Sequence, residues 1–293
     1  MKMWLVGAGY WGSKLLTNLE KFGVDAHIID IKKNQTVEDI STLDPVMLAT
    51  PLWQHCEQAK FLIRRGHDVY VEKPMAETAQ QIDDIAQFIA PGQIVMVGHL
   101  FVYHPQMNEV RKLISDGVIG DLLHISSRRL NWGIYQTQTD PLLSLATHDI
   151  SIIQTFTNKT LTALFAQSWN LSNNTQPDRV FFTGHCDNAI TFDIDVSWYW
   201  PTRIRQTIVI GSTGQLLWDQ DSNTVTITKH SISDKRALID SHPNVQHYNY
   251  ELTPLESELQ HWITCVKQRN QPATGVSAAR AVASVIDQVK TLL

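Results

Sequence analysis

The first part of the chain alternates short apolar runs with segments whose apolar residues recur at helical spacing. The apolar runs lie at residues 3–6, 24–30, 45–50, 68–71 and 93–97. The helical patterns lie between them, at residues 11–22, 53–65 and 78–89. Buried strands that alternate with helices predict a parallel sheet with right-handed crossovers. We therefore predict that residues 1–118 form one doubly wound α/β domain.

The pattern changes after residue 118, where apolar and polar residues alternate along longer runs. This alternation is clearest at residues 190–198, 203–210 and 224–228. It gives a strand two unlike faces, which is typical of antiparallel sheets. Helical patterns follow at residues 141–157, 255–268 and 277–292. Residues 119–293 are predicted to form an α+β domain, with helices on one face of a large, mainly antiparallel, open-faced sheet.

Composition narrows the class of protein. The 293 residues are 43% hydrophobic and 18% charged, with a formal net charge of -5. Without a basic excess, the chain is not expected to bind nucleic acid or an anionic membrane. Cys56, Cys186 and Cys265 lie far apart, so neither a disulfide framework nor a metal site is expected. With no leader-like segment and no apolar run long enough to cross a membrane, we expect a cytoplasmic protein.

A glycine-rich turn joins the first predicted strand to the first predicted helix. The sequence from Gly7 to Gly12 reads G-x-G-x-x-G, the spacing of a dinucleotide-binding turn. Gly7 would make the tight turn, Gly9 would admit a pyrophosphate, and Gly12 would let helix and strand pack closely. A solvated glycine turn with no ligand is the alternative interpretation. We assign Tyr10 and Trp11, within the turn, to the same cofactor site.

An acidic residue ends the second predicted strand. Asp30 lies eighteen residues beyond Gly12, where a carboxylate can accept hydrogen bonds from the ribose hydroxyls. It would repel a 2′-phosphate, so NAD is the predicted cofactor. Lys32 and Lys33 follow directly and leave NADP possible.

Two side chains could take part in catalysis: the amine of Lys73, after a predicted strand, and the imidazole of His148, on a predicted helix. Lys73 follows a strand, and its ammonium could stabilise alkoxide character as a hydride leaves. His148 lies one predicted helical turn beyond Ser144 and could exchange a proton near neutral pH. A surface lysine and a hydrogen-bonded structural histidine are the alternatives. His99 and Tyr103 follow a further strand and could line the same crevice, or belong to a linker.

Several segments, taken in order, resemble the GFO/IDH/MocA family, whose members include glucose–fructose oxidoreductase and inositol dehydrogenase. Beyond the glycine turn, the segments are Ala49-Thr50-Pro51 with His55, Glu72-Lys73-Pro74, Gly98-His99 through Tyr103-His104-Pro105, and Leu145-Ala146-Thr147-His148-Asp149. The C-terminal segment is also similar, at Pro254-Leu255, Glu258, His261-Trp262, Cys265 and Gln271-Pro272. The resemblance covers nearly the whole chain.

The resemblance implies roles for individual residues. It implies that Lys73 lies beside the nicotinamide and the substrate hydroxyl, and that His148 is the general acid/base. It also implies that a set of residues borders the cofactor: Thr50, Pro51, His55, Glu72 and His99. It places Tyr103 near the substrate, and we assign three more residues to that region: Trp132, Ser144 and Asp149.

The resemblance also bears on assembly and on substrate. Family members commonly associate through the open face of the second-domain sheet, so a homodimer or homotetramer is expected. Trp198 and Trp200 could serve that contact or pack in the core. Many members have Asp where this chain has Ser144. The sequence around His148 is similar to that of members that act on nucleotide-linked amino sugars. The segment between Asp30 and Pro45 is short, as if one strand–helix unit were trimmed.

These observations lead to one hypothesis and two alternatives. The hypothesis is an NAD(P)-dependent oxidoreductase that transfers a hydride between nicotinamide and a carbinol carbon of a sugar, nucleotide sugar or cyclitol. One alternative is a non-catalytic dinucleotide-binding sensor or regulator of the same fold, as Ser144 would allow. The other is a reductase of the dihydrodiol or biliverdin type, with an apolar crevice. Hydride exchange with any sugar or cyclitol separates the first alternative from the hypothesis.

Overall fold

The structure is a computed structural model that describes residues 1–133, 139–173, 175–187, 189–233, 236–239 and 242–293. Its strands are β1 (Lys2–Val6), β2 (Asp25–Ile29), β3 (Val46–Leu48), β4 (Val69–Glu72), β5 (Val95–Gly98), β6 (Leu122–Trp132), β7 (Leu161–Trp169), β8 (Arg179–Cys186), β9 (Ile190–Ser197), β10 (Tyr199–Gly211), β11 (Gly214–Asp219), β12 (Thr224–Ser233), β13 (Arg236–Ile239) and β14 (Asn244–His247). Its α-helices are α1 (Tyr10–Lys21), α2 (Leu52–Arg64), α3 (Ala79–Ala86), α4 (Pro105–Ser115), α5 (Thr147–Thr157), α6 (Pro254–Gln268) and α7 (Val276–Leu292).

The chain packs into two compact units. The first contains Met1–His104 and Leu252–Ser284, and the second contains Pro105–Glu251 and Val285–Leu293. This grouping differs from the predicted boundary at residue 118. Residues 105–118 pack with the second unit, and residues 252–284 return to the first. A helical pattern reports that a helix has an apolar face, but it does not report which sheet covers that face.

The first unit is built on a parallel sheet with strand order β2-β1-β3-β4-β5. Both faces of the sheet are covered, which explains why its strands are almost wholly apolar. Met3 and Leu5 face α1 and α6, where Trp262 is fully buried. Val6 faces the other side, against α2, α3 and the first part of α7. The predicted doubly wound domain is confirmed.

The short segment between β2 and β3 holds two 3₁₀ turns, Ile31–Lys33 and Val37–Asp39, in place of a crossover helix. Thr36 caps the second turn by accepting a hydrogen bond from the backbone N–H of Glu38. The predicted shortening at this point therefore corresponds to a missing α-helix.

The second unit is built on a large sheet with strand order β13-β12-β11-β10-β6-β9-β8-β7, and β14 pairs with β12. The pair β6–β9 is parallel, and the other neighbouring pairs are antiparallel. The predicted, mainly antiparallel sheet is confirmed. Within the described ranges, no helix is both long and apolar enough to cross a membrane.

Candidate functional site

Four loops of the first unit follow the carboxyl ends of parallel strands. They begin at Gly7 after β1, Ala49 after β3, Lys73 after β4 and His99 after β5. Because the strands are parallel, these loops lie along one edge of the sheet, the edge at which open α/β sheets bind ligands.

The three glycines of the turn after β1 meet different surroundings. Gly7 has a φ of +104°, and a Cβ built there would lie 2.6 Å from the carbonyl oxygen of Ala49. A Cβ on Gly12 would lie 1.9 Å from the carbonyl oxygen of Gly7. The protein's own packing therefore requires glycine at both positions. A Cβ on Gly9 would meet nothing within 4 Å.

Gly9 is the N-cap of α1, and no side chain caps that helix. Its φ of -73° is open to any residue, so neither backbone strain nor a protein neighbour explains the glycine. The first N–H groups of α1 and the positive end of its dipole are suited to an anion. The open space at Gly9 and these donors fit the pyrophosphate of a dinucleotide.

The residues that begin α1 carry large aromatic side chains. Tyr10 is 78% exposed, and the ammonium of Lys14 lies 4.4 Å from the centre of its ring. Trp11 is half-buried, and its indole N–H donates a hydrogen bond to the carboxylate of Glu72. Trp11 thus connects the glycine turn to the end of β4.

Asp30 follows β2 directly and is half-buried. Its Oδ1 accepts a hydrogen bond of 2.9 Å from the backbone N–H of Lys32, and its own N–H donates to Gln35 over 3.0 Å. The turn between β2 and β3 thus fixes the carboxylate at the end of its strand.

The loop after β3 is tied to the loop after β4. His55 is 2% exposed, and its two ring nitrogens lie 2.8 Å from the carbonyl oxygens of Thr50 and Pro74. Burial lowers the pKa of His55, and the charge of Lys73 adds to that effect. His55 therefore joins the two loops from inside, while Pro51 is exposed at the start of α2.

Glu72 is buried at the end of β4 on the sheet face covered by α1 and α6. Besides Trp11, it accepts hydrogen bonds from the hydroxyl of Tyr70 at 3.0 Å and from the backbone N–H of Lys73 at 3.3 Å. Burial raises the pKa of Glu72 to about 6, although the bond from Trp11 and the charge of Lys73 oppose that rise. A single carboxylate thus connects the glycine turn, the sheet and Lys73.

Lys73 is half-buried beside a neutral imidazole. Burial, with a contribution from the charge of Lys73, lowers the pKa of His99 to about 3. His99 is 1% exposed, and neither of its ring nitrogens has a hydrogen-bond partner among the described residues. A buried polar atom without a partner is costly, so the imidazole of His99 suits a polar ligand atom.

Tyr103 is turned into the first unit. Its hydroxyl lies 2.7 Å from Oγ1 of Thr274 and accepts the backbone N–H of Thr274 over 3.2 Å. Its ring packs 4.9 Å from that of His261. The hydroxyl is thus held by the protein itself, which favours an anchoring role over the substrate contact expected for Tyr103.

In the second unit, His148 lies in the first turn of α5 and is 9% exposed. Ser144 lies just before it, half-buried in a π-helical turn over Leu142–Ala146. The expectation that Ser144 and His148 share one face assumed a regular α-helix, which the wider π turn replaces. Such π turns are frequent at functional sites, and the apolar spacing of the sequence gives no sign of this one.

Asp149 is fully buried and faces β6. Its carboxylate accepts hydrogen bonds from Nε and a terminal nitrogen of Arg129, at 2.9 and 3.0 Å, and from the Ser127 hydroxyl at 2.8 Å. Arg129 also donates to Gln220 over 3.1 Å. Both carboxylate oxygens are therefore engaged inside the unit, and Asp149 fixes α5, with its neighbour His148, onto the sheet.

Trp132 ends β6 and is 66% exposed. Its ring lies 4.7 Å from that of Tyr199 at an interplanar angle of 33°. The two rings present an aromatic surface of the second unit to solvent.

The sequence predicts no role for three buried residues that hydrogen-bond, each within its own unit, to candidate site residues or to one another: Tyr70, Arg129 and Glu258. Glu258 was named only within the C-terminal segment. The sequence pattern does indicate that Glu258 is buried, because it adjoins the apolar stripe of α6. That stripe is formed by Leu255, Leu259 and Trp262. A charge at such a position requires a buried partner.

Two family models match the chain. Residues 17–99 match the model described as an oxidoreductase family with an NAD-binding Rossmann fold. Residues 107–217 match the GFO/IDH/MocA C-terminal domain. Together the two matches cover about two thirds of the chain, and the first begins after the glycine turn.

Among curated proteins, the chain is similar to 2,7-anhydro-N-acetylneuraminate hydratase of Mediterraneibacter gnavus. The two are 30% identical over 146 residues, which is 44% of this chain and 39% of that protein. It is also similar to inositol 2-dehydrogenase 2 of Saccharopolyspora erythraea, at 26% identity over 165 residues, 54% of this chain and 49% of that protein. The chain thus spans about two fifths to one half of the length of these curated relatives.

Among solved structures, the fold is similar to that of a levoglucosan dehydrogenase in complex with NADH and levoglucosan. The TM-score is 0.82 at 13% sequence identity, and the superposition covers 100% of this chain and 96% of the other. At that identity the likeness shows a shared fold.

Proposed function

This chain belongs to the GFO/IDH/MocA family of oxidoreductases, and from that premise we propose that it transfers a hydride between the nicotinamide of NAD and a carbinol carbon of a sugar, nucleotide sugar or cyclitol. The family, the two folds and the NAD-binding class of the first domain, all expected from the sequence, are confirmed. The activity and the substrate class are our proposal.

One observation carries the proposal. Glu72 accepts hydrogen bonds both from Trp11, at the glycine turn, and from the backbone N–H of Lys73. The residues at the glycine turn and the backbone of the lysine whose amine is suited to an alkoxide are therefore held by one buried carboxylate. A solitary surface lysine or an empty glycine turn would not need a buried carboxylate to join them.

In this proposal the cofactor is held by the residues assigned above. The N–H groups at Gly9 to Gly12 would bind the pyrophosphate, flanked by Tyr10 and Trp11, and Asp30 would accept the ribose hydroxyls. Thr50, Pro51 and His99 would border the rest of the cofactor, with His55 holding their loops in place. NAD, when bound, supplies a carbon that accepts or gives up a hydride.

The chain's own residues would manage charge and protons at the substrate. The ammonium of Lys73 would stabilise negative charge on the carbinol oxygen. The imidazole of His148 would take the hydroxyl proton, or return it in reduction. Because Asp149 fixes the start of α5 through Arg129, the backbone that carries His148 is held without a carboxylate at position 144. The hydroxyl of Ser144 would then contact the substrate.

We propose a polyhydroxylated, ring-shaped substrate. The names of the relatives above include an anhydro sugar acid, an inositol and levoglucosan. The exposed ring of Trp132, packed against the half-buried ring of Tyr199, is suited to the apolar face of such a ring. A thermal-shift screen with NADH present should therefore include anhydro sugars, cyclitols and nucleotide sugars, because a ligand that binds the native state raises its melting temperature.

Gly9→Ala is expected to weaken NADH binding by about tenfold or more, because the added methyl would occupy the space assigned to the pyrophosphate. A tenfold loss of affinity corresponds to ~1.4 kcal/mol of binding free energy. The added methyl meets no protein atom within 4 Å, so the melting temperature without NADH should fall only by the small cost of alanine at the N-cap of α1. Titration of NADH by fluorescence measures the affinity. Gly275→Ala is the matched control, because its Cβ would make only an ordinary contact of 3.7 Å. Unchanged affinity in Gly9→Ala would remove the turn from the cofactor site.

The non-catalytic alternative makes a different prediction for the same protein. A sensor would bind NADH with the same dependence on Gly9, yet it would exchange no hydride with any member of the panel. Single-turnover reduction of bound NAD by the alcohols of the panel separates the two, because it detects the first hydride transfer even when a later step of the same turnover reoxidises the NADH.

We further infer a homodimer or homotetramer formed through the open face of the second-unit sheet. Neighbouring strands place partly exposed apolar side chains on that face: Phe165, Phe181, Ile208 and Leu217. Trp200 is half-buried there, 5.0 Å from the guanidinium of Arg179, whereas Trp198 is 3% exposed and packs in the core. Light scattering should give the mass of a dimer or tetramer, reduced in Ile208→Glu; a wild-type monomer would contradict this.

A cytoplasmic location is part of the same proposal. Cys56, Cys186 and Cys265 are all free and buried, as a reducing compartment allows. Cell fractionation would test it.

A further inference from the structure

Three buried polar side chains meet beneath the loop that carries Lys73. The Tyr70 hydroxyl lies 3.0 Å from Oε1 of Glu72 and 3.1 Å from Oε2 of Glu258. Tyr70 and Glu258 are fully buried, and Glu72 is 7% exposed. Glu258 comes from α6, far along the chain, so this contact between two carboxyl groups and one phenol is built by the fold.

The number of protons available to the Tyr70 hydroxyl and the two carboxyl groups limits their protonation states. A phenol has one proton to donate, and an ionised carboxylate can only accept. Tyr70 can therefore donate to one of the two glutamates, and the other must donate to Tyr70. At least one of Glu72 and Glu258 is accordingly a neutral carboxylic acid.

The partners of the two glutamates decide which of them is neutral. Glu72 accepts from Trp11 and from the backbone N–H of Lys73, and the Lys73 charge lies nearby. Glu258 meets only Tyr70 through Oε2, and its Oε1 has no partner among the described residues. A buried charge with so little compensation is far costlier than a neutral acid, so Glu258 holds the proton.

The titration behaviour agrees with this assignment. Burial and the nearby charge of Glu72 raise the pKa of Glu258 well above its usual range. The pKa of Glu72 is raised only to about 6, because Trp11, Lys73 and Tyr70 favour its charged form. Glu72, with a pKa of about 6, is thus largely ionised near neutral pH, and burial favours the neutral form of Glu258.

The packing around the phenol supports a specific site. A Cβ on Gly98 would lie 2.3 Å from the Tyr70 hydroxyl and 3.3 Å from Oε2 of Glu72. Glycine at the end of β5 therefore leaves the room that the phenol and the carboxylate occupy.

We propose that Glu258 is a positioning residue for Lys73. As a neutral acid it donates to the Tyr70 oxygen and thereby directs the single Tyr70 proton onto Glu72. Glu72 remains the carboxylate that holds Trp11 and the backbone of Lys73 together. This inference rests on the role proposed above for Lys73, although the protonation of Glu258 can be measured without it.

An ionised Glu258 would disrupt these two hydrogen bonds, from Glu258 to Tyr70 and from Tyr70 to Glu72. It would compete for the Tyr70 proton, and its charge would favour protonation of Glu72. The titratable groups around the cluster are Tyr70, Glu72, Lys73 and Tyr103, with His55 and His99 near Lys73. Burial lowers the pKa of both histidines, that of His99 to about 3, whereas Glu72, with a pKa of about 6, titrates just below neutral pH.

The first experiment follows the glutamate side chains of the full-length wild-type protein, labelled with ¹³C at the carboxyl carbon, by NMR across pH. We expect one signal to remain in the neutral-acid form above neutral pH and another to titrate near 6. The first signal should vanish in Glu258→Gln and the second in Glu72→Gln. If every glutamate ionises below about 6, or if Glu72 proves to be the persistent acid, the inference is wrong.

The second experiment measures NADH affinity across pH in four proteins, each first checked for its melting temperature. Glu258→Gln keeps a neutral donor next to Tyr70, so its curve should overlay that of the wild type. Tyr70→Phe removes a donor from Glu72, so loss of affinity at acid pH should begin at a higher pH. Glu72→Gln should show weak binding that no longer depends on pH in this range.

The outcomes separate this inference from the proposed function. A Glu258→Gln curve displaced by about one pH unit, a tenfold change in proton affinity, would mean that the wild-type residue is charged and would overturn the inference. Should none of the proteins bind NADH, the proposed function fails while the NMR result still decides the state of Glu258. If Glu258→Gln does not fold, loss of the titrating signal in Glu72→Gln still identifies Glu72, and the wild-type titration then decides whether a second glutamate stays protonated.

Discussion

Replacing Lys73 with methionine is expected to lower the rate of hydride transfer by about 10²–10³-fold, the usual loss when one group that stabilises a developing oxyanion is removed. Methionine retains most of the aliphatic volume and removes the ammonium. The backbone N–H of Lys73 still donates to Glu72, so the turn and NADH affinity should be little changed. Stopped-flow absorbance of NADH under single-turnover conditions measures the step.

Lys112→Met provides the matched control. Lys112 lies on α4 with a side chain 69% exposed, and it pairs with Asp116. Its removal should leave hydride transfer unchanged. Near wild-type turnover in Lys73→Met would exclude the amine from the chemistry, whereas loss of NADH binding would assign it to the cofactor alone.

Replacing His148 with asparagine is expected to slow turnover by about 10²–10⁴-fold, the range for a general acid/base. Asparagine keeps a polar side chain in the first turn of α5 but cannot exchange a proton near neutral pH. The dependence of the rate on His148 ionisation should vanish with the imidazole. Steady-state rates over a pH series measure both effects.

The control for this change is His27→Asn on β2, where the side chain is 43% exposed. It should leave both the rate and its pH dependence unchanged. If His148→Asn keeps the full rate, proton transfer must be assigned to another group or to water. If the wild type itself transfers no hydride, the sensor alternative is favoured.

The sequence was informative wherever neighbouring residues set the structure. Gly12 is constrained by the carbonyl of Gly7 in the same turn, and Gly7 by its own positive φ, so their spacing predicts both the turn and the helix after it. The strand that ends at Glu72 was likewise visible as an apolar run. Such features depend on a few adjacent residues, which a pattern can contain.

The sequence does not predict contacts between side chains that lie far apart along the chain. Asp149 was assigned to the substrate region because it follows His148, but its partners Arg129 and Ser127 lie some twenty residues away on β6. Tyr103 was assigned to the crevice, but Thr274 holds its hydroxyl. In each case the local pattern shows a polar group and leaves open whether a ligand or another part of the chain satisfies it.

The return of α6 to the first unit has a consequence for biosynthesis. Residues 105–251 are translated after the parallel sheet and before the helix that covers Met3, Leu5 and Met96. At about 5–20 residues per second, that side of the sheet is left with α1 but without α6 for roughly seven seconds or longer. A nascent chain in this interval exposes an apolar surface to chaperones and to other nascent chains, so the first domain to emerge stays incomplete until most of the second has been made.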